Sequence, residues 1–264
     1  MSLDDLSTFY VAQPDGTFAA TALTAGPWGP ALQHGGPPSA LAVRALERLP
    51  GEGLRLARVT VDILRPVPVA PVAVHTRVLR PGRRVQLVAA DVVVAGEVAL
   101  RVTAWRVAPA PDDVPAVLPA AAPPPLPGPQ PRPTAAGHHI DGYMHAVQWR
   151  FAHGAFDVPG PAAAWARIDL PLVEGEAMSP AQRVVLLADS GNGVGTSVDR
   201  ARFLSINTDL AVTLTRDPVG DWLCLESEAT ITPGAASTTE TRLYDERGAV
   251  GRATQTLLVD TLAA

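Results

Sequence analysis

Residues 179–195, SPAQRVVLLADSGNGVG, constrain the fold of this chain most. Ser179 is a good helix N-cap and Pro180 a good first helical residue, so a helix is expected to start here. The run Val184, Val185, Leu186, Leu187, Ala188 is apolar on nearly every face. A helix without a polar side has to be enclosed by other structure. Gly191, Gly193 and Gly195 are expected to break it. Asp189 stands at the end of the apolar run, where a carboxylate is either the solvated end of the helix or a group held for a purpose.

The enclosing structure reads as strands. Residues 8–24 suggest a hairpin turning at Pro14-Asp15-Gly16. Gly35-Gly36 and Pro37-Pro38 lead into a helix from about Ser39 to Leu49, stopped by Pro50-Gly51. ARVTVDILRPV, PVAVHTRVLRPG, RRVQLVAADVVVAG and EVALRVTAWRV follow, rich in Val and bounded by Pro or Gly, as antiparallel strands are. Residues 108–137 are Pro-rich, of low complexity and without periodicity, so an extended surface linker is expected there.

The order then repeats. HAVQWRFAHGAF and AAAWARIDLPL read as strands joined near Pro159-Gly160. The Ser179 helix follows, and then four strands: TDLAVTLTRDP, DWLCLESEATITPG, STTETRLYDERG and AVGRATQTLLVD. Placing Gly96 on Gly248 aligns GEVALRVTAWRV with GAVGRATQTLLV without a gap, and Arg65-Pro66 matches the region of Arg216 to Pro218. Residue identities are few, and the repeated order of a helix then four strands carries the duplication.

Composition excludes several classes. With 264 residues, 47% of them hydrophobic, the chain can bury a proper core. Its net charge is −5, all 21 basic residues are Arg, and no basic stretch is sustained, so no nucleic-acid partner is expected. The single cysteine, Cys224, excludes an intrachain disulfide and a cysteine-ligated zinc, and its place in WLCLES suits a small core residue. His75, His138, His139, His145 and His153 share no spacing, and no metal is assigned. MSLDDLSTFY has no basic n-region or apolar h-region, and no apolar run reaches membrane-spanning length, so the reading is of a cytoplasmic protein without a membrane partner.

An antiparallel sheet wrapped on one buried helix, made twice, is the hotdog architecture. QHGGPPSALAVRAL, RVTVDILRPV, LADSGNG, NTDLAVTLTRDPVGDW and RLYDERGAVGRATQTLLV together resemble the acyl-CoA thioesterase II family, across nearly the whole chain except the linker. The resemblance implies an α+β fold of two fused hotdogs, residues 1–107 and 138–264, joined by the linker 108–137. It implies hydrolysis of the thioester of acyl-CoA to free acid and CoA, with no cofactor, and a homo-oligomer (a dimer of double hotdogs) is compatible with it.

The resemblance also implies a site of three parts that positions and activates a water: an Asp near the helix end, a Thr or Ser on the next strand, and a Gln on the last strand. Asp189 matches the first and Gln255 the last. NTD offers Thr208 or Asn207 for the middle position, depending on a one-residue register, with Thr208 favoured for its hydroxyl. A carboxylate can accept the water's proton while neutral amide and hydroxyl groups fix its orientation. On the Gly96/Gly248 match the first-half counterpart of Gln255 is Thr103, so the first half lacks the site.

The oxyanion needs donors, which a helix N-terminus supplies. His34-Gly35-Gly36 precedes the first helix, and Pro37 and Pro38 carry no N–H, which restricts the donors to Gly35 and Gly36. Arg83-Arg84 reads as a solvated turn. Two other functions remain open. A hotdog hydratase or dehydratase would pair a His with an Asp, as His34 and Asp189 would if they met. A non-catalytic acyl-CoA binder would have lost part of the site.

Overall fold

The computed structural model describes residues 3–117, 122–135 and 137–262. In the first half lie β1 (Tyr10–Ala12), β2 (Phe18–Ala20), α1 (Gly36–Glu47), β3 (Arg55–Ile63), β4 (Val72–Arg80), β5 (Val85–Val94) and β6 (Glu97–Val107). In the second lie α2 (Tyr143–Ala146), β7 (Gln148–Ala155), β8 (Val158–Arg167), α3 (Pro180–Ala188), α4 (Gly191–Val194), β9 (Phe203–Asn207), β10 (Asp209–Leu214), β11 (Leu223–Thr230), β12 (Ser237–Asp245) and β13 (Gly248–Thr261). Among the described residues no helix is long and apolar enough to cross a membrane.

All thirteen strands share one antiparallel sheet, ordered β1-β2-β4-β5-β6-β3-β10-β13-β12-β11-β8-β7, with β9 added beside β13. The halves meet at β3 and β10, where Val61 faces Leu210 and Val59 faces Val212, all four buried. Read outward from this seam, the order of strands is the same in both directions. The register repeats as well: a shift of 151 carries the pair Thr60–Thr103 onto Ala211–Thr254, Ala89–Thr103 onto Glu240–Thr254, and Val74–Val92 onto Leu225–Leu243.

This register corrects the sequence alignment by one residue. Val94 pairs with Glu97 and Asp245 with Gly248, so Gly248 corresponds to Glu97, and Gly96 corresponds to Arg247. The two hairpins put a positive-φ glycine at different points of the turn, Gly96 at φ 82° and Gly248 at φ 131°, and matching glycine to glycine therefore misled. The first-half counterpart of Gln255 is Ala104, which is buried like Gln255, whereas Thr103 faces the opposite side of the sheet.

The same shift carries Leu56–Arg106 onto Asn207–Leu257. β9 and β10 are thus the second half's version of the single strand β3, interrupted at Thr208 where β3 has only a bulge at Ala57. The sequence reading did not find β9. The β7–β8 turn expected at Pro159-Gly160 lies instead at Phe156-Asp157. Pro159 and Gly160 fall within β8 at an irregular stretch of its pairing with β7, where the Gly160 N–H donates to Thr196 O at 2.7 Å.

The helix expected from Ser179 is α3. Ser179 Oγ accepts the Gln182 N–H at 3.1 Å, and Val184 through Ala188 are fully buried. Each of the two Val and two Leu side chains contributes roughly 1.5–3 kcal/mol by its removal from water. α3 packs against α1, and the two run antiparallel. At one end Glu47 of α1 accepts from Ser179 Oγ at 2.7 Å and Gln182 Nε2 at 2.6 Å, while Arg44 donates to Glu176 at 2.5 and 2.6 Å. At the other end a Cβ on Gly36 would lie 2.2 Å from the Leu186 carbonyl oxygen, so the crossing is too close for any side chain there. This packing brings the start of α1 onto the end of α3.

The described residues of 108–135 form neither helix nor strand. The Ala108 N–H still donates to the Arg84 carbonyl of the first half, and residues 124–134 lie against the second half. Trp165 Nε1 donates to Pro124 O, Arg150 to Pro127 O, and Gln130 exchanges two hydrogen bonds with the Phe151 backbone. Leu126 packs on the Trp165, Trp222 and Tyr244 cluster. Residues 124–134 are thus fastened to the second half by several side-chain contacts.

Candidate active site

α3 ends at Ala188, and Asp189 is its C-cap, 7% exposed. The glycines after it do not end helical structure as the sequence suggests. They form one further turn, α4, pressed against β12 and β13. A Cβ on Gly191 would lie 2.4 Å from Thr241 Oγ1, which explains the glycine. Gln255, reaching in from β13, clamps the junction: its Oε1 accepts the Asn192 N–H at 2.8 Å and its Nε2 donates to the Asp189 backbone carbonyl at 3.1 Å. Gln255 is 2% exposed and touches the backbone of Asp189, not its carboxylate.

β9 is fixed to α4 by a reciprocal pair, Asn192 Nδ2 to Ser205 O at 3.0 Å and Ser205 Oγ to Asn192 Oδ1 at 3.1 Å. Two residues on, and so on the same face of the strand, Asn207 Nδ2 donates to Asp189 Oδ1 at 3.0 Å and to Asp209 O at 3.2 Å. Thr208 is the next residue, where the strand breaks. Its hydroxyl is directed to Thr256 O at 3.4 Å and is not brought to Asp189. Of the two candidates for the middle position, the structure places Asn207 against the carboxylate.

The other carboxylate oxygen meets the first half. His34 Nδ1 lies 3.0 Å from Asp189 Oδ2 and 3.1 Å from the Gly36 nitrogen. The imidazole stacks on Tyr143, with ring centroids 3.8 Å apart and planes inclined by 11°. Tyr143 in turn donates to Leu186 O and shares a 2.8 Å hydrogen bond with Ser190 Oγ. Burial pushes the His34 pKa down from its ordinary value, and the nearby Asp189 charge opposes this only in part. Gly35 is held so close that a Cβ would sit 2.8 Å from Asp189 Oδ2. Its N–H has no hydrogen-bond partner among the described residues. Sequence reasoning missed Tyr143, a lone aromatic in a polar stretch that offers no signal of its own.

These groups line a cavity of about 630 Å³. His34, Gly35, Asp189, Asn207 and Thr208 contribute to one part of its wall, and Leu32, Ile63, Val67, Phe203, Leu204 and Ile206 supply apolar surface around them. Gln255 and Gly36 lie behind that wall. An apolar cavity with a few convergent polar groups can enclose an acyl chain and hold a reactive carbonyl against a carboxylate. Among the described residues no cluster of three or more His, Cys, Asp or Glu could hold a metal ion.

A buried helix pair wrapped by one antiparallel sheet, with a carboxylate at the helix end and an apolar cavity beside it, is a hotdog-type architecture. Family comparison makes the assignment definite. The acyl-CoA thioesterase N-terminal domain family matches residues 24–107, and the acyl-CoA thioesterase C-terminal domain family matches residues 111–259. The chain belongs to the acyl-CoA thioesterase family, and its activity is thioester hydrolysis.

Solved structures carry the same fold. An acyl-CoA thioesterase II from Mycobacterium marinum matches with a TM-score of 0.67 at 15% identity, covering 100% of this chain and 99% of that one. A tesB protein from Mycobacterium avium subspecies paratuberculosis matches at 0.68 and 18%, covering 99% and 100%. A hotdog-fold protein of unknown function from Alicyclobacillus acidocaldarius matches at 0.69 and 19%, covering 99% and 98%. No curated protein matches the chain in sequence. His34 and Asp189 do meet, as a hydratase would require, but the family is that of the hydrolases.

Proposed function

We propose that this chain is two hotdogs, residues 1–107 and 138–264 joined by 108–137, and that it hydrolyses acyl-CoA at one site where they meet. Asp189 is the general base. The observation that carries this reading is the grip on its carboxylate: Asn207 Nδ2 at 3.0 Å from one oxygen and His34 Nδ1 at 3.0 Å from the other, in the wall of the cavity.

The thioester carbonyl is set at the start of α1, where the helix dipole contributes roughly half a positive charge. With Asp189 ionised, His34 carries its proton on Nδ1 and donates it to Oδ2. The Gly35 N–H, in the cavity wall and without a partner among the described residues, is the donor to the carbonyl oxygen. Pro37 and Pro38 have none to give. Asp189 takes a proton from a water as the water oxygen bonds to the carbonyl carbon. The tetrahedral intermediate collapses, the C–S bond breaks, and the proton held by Asp189 passes to the departing CoA sulfur. A thiol, far more acidic than an alcohol, leaves readily.

Gln255 is a positioning residue in this scheme, because it holds the Asp189 carbonyl and the Asn192 N–H that follows it and touches no reacting atom. Thr208 belongs to the cavity wall. A single turnover in ¹⁸O-labelled water tests the chemistry. Direct attack by water puts one labelled oxygen in the released acid. An unlabelled acid in the first turnover would mean that the Asp189 carboxylate itself attacks.

A further inference from the structure

Arg200 lies on the segment between α4 and β9, in the wall of the same cavity. Its guanidinium has one hydrogen bond within the protein, from Nη2 to the Gly193 carbonyl at 2.8 Å. Among the described residues no carboxylate comes within ion-pair distance of it. Arg183 on α3 is also buried in part, with Nε lacking a partner among the described residues, but it does not line the cavity. The remaining inward-facing arginines are well partnered. Arg44 is bidentate to Glu176. Arg216 is bidentate to Asp245 and also reaches the Gly248 carbonyl. Arg106 donates to three backbone carbonyls and to Gln86.

A guanidinium presents five N–H donors in a planar fork that matches a carboxylate. Arg200 uses one of them, and its surroundings are dry enough that burial pushes its pKa down, with only the charge of Asp157 opposing. Removing a cation from water without a carboxylate in direct contact is costly, and an arriving anion offsets that cost. The fold gains little from such an arrangement, whereas a ligand with a negative group gains a bidentate partner.

Resting on the hydrolase reading above, we infer that Arg200 is a specificity-determining residue that receives an anionic group of the substrate, the second carboxylate of a dicarboxylic acyl chain. Distance favours this source over the phosphates of CoA. Gly193 follows Asp189 by four residues, about 6 Å of helical rise, so the guanidinium held at its carbonyl is near the reacting carbon. The pantetheine arm is as long as about four extended residues, on the order of 14 Å, and carries the phosphates well beyond that. An acyl group of four to six carbons with a terminal carboxylate spans the interval.

The test compares glutaryl-CoA with pentanoyl-CoA, which have the same chain length, in the parent protein and in Arg200→Met. The ratio of kcat/KM for glutaryl-CoA over pentanoyl-CoA should fall by about tenfold or more in the variant, the loss expected for a charge-assisted hydrogen bond. Arg200→Lys, which keeps the charge and loses the fork, should recover part of it. An unchanged ratio overturns the inference. So does an equal loss on both CoA thioesters that vanishes with the corresponding pantetheine thioesters, since that places a CoA phosphate on Arg200. Calorimetric titration of Asp189→Asn with the two CoA thioesters reads the same preference without turnover. A parent protein that hydrolyses neither thioester would count against the hydrolase reading alone. The calorimetric preference, or its absence, would still decide the role of Arg200.

Discussion

His34 Nδ1 and Asp189 Oδ2 lie 3.0 Å apart, although one precedes the first long helix and the other ends the second. The contact follows from the antiparallel packing of α1 on α3. Glu47 and Arg44 tie the end of α1 to the start of α3, and Gly35 and Gly36 let the opposite ends close on each other. Neither half contains the site by itself. The first supplies the helix N-terminus and the imidazole, and the second supplies the carboxylate, Asn207 and Gln255.

Asn207 and Thr208 should differ sharply. Asn207→Ala removes the hydrogen bond to Asp189 Oδ1 and should lower kcat by about 10- to 100-fold, the scale of one lost orienting hydrogen bond to a charged group. Thr208→Ala removes a 3.4 Å contact to Thr256 O and should cost less than threefold, about 0.6 kcal/mol. Steady-state thiol release by the two purified variants decides the point. A larger loss in Thr208→Ala would return the role to the hydroxyl.

The depressed pKa of His34 has a consequence for stability. Below an unfolded-state pKa of about 6.5 the unfolded chain takes up a proton that the native imidazole still refuses, so stability falls as pH falls from there toward the native value. Above about pH 6.5 neither state is protonated and this contribution is complete. Urea unfolding of the parent and of His34→Gln between pH 5 and 8 should therefore show a steeper acid-side loss in the parent. Parallel curves would mean that His34 is not desolvated.

Asp245 is a separate structural anchor, with its side chain 0% exposed. Burial pushes its carboxyl up, but Arg216 and the Val219 and Arg247 N–H groups outweigh this and hold it down at about 2. Asp245→Ala leaves Arg216 and two N–H groups without their acceptor. Breaking a buried pair costs about 3–5 kcal/mol, and the lower end applies because the Arg216 side chain is 34% exposed. Equilibrium denaturation should show a loss near about 3 kcal/mol, whereas a loss under about 1 kcal/mol would place the pair with ordinary surface ion pairs.

The helices and most strands were legible because each has a local cause: the Ser179 cap, the apolar run after it, and the Val-rich segments between Gly and Pro. Asp189 was legible because a carboxylate closing an apolar run is anomalous. β9 was not, because FLSIN is short and belongs to a strand whose continuity with β10 shows only through pairing with β13. Its break at Thr208 also decides which way Asn207 points, and no periodicity reveals a break of one residue. The hairpin turn was misplaced because Pro159-Gly160 is a strong local turn signal that an outlying strand pair tolerates. Tyr143 reaches the site only through tertiary packing on His34.

The central claim is that the Asp189 carboxylate activates water. Asp189→Asn keeps the size and most contacts of the side chain and removes the base. Measured by thiol release from a panel of acyl-CoA thioesters, the variant should fold with a melting temperature near that of the parent and lose kcat by about 10²–10⁴-fold. Hydrolysis by Asp189→Asn at the parent rate would contradict the account and leave Asp189 as a helix cap.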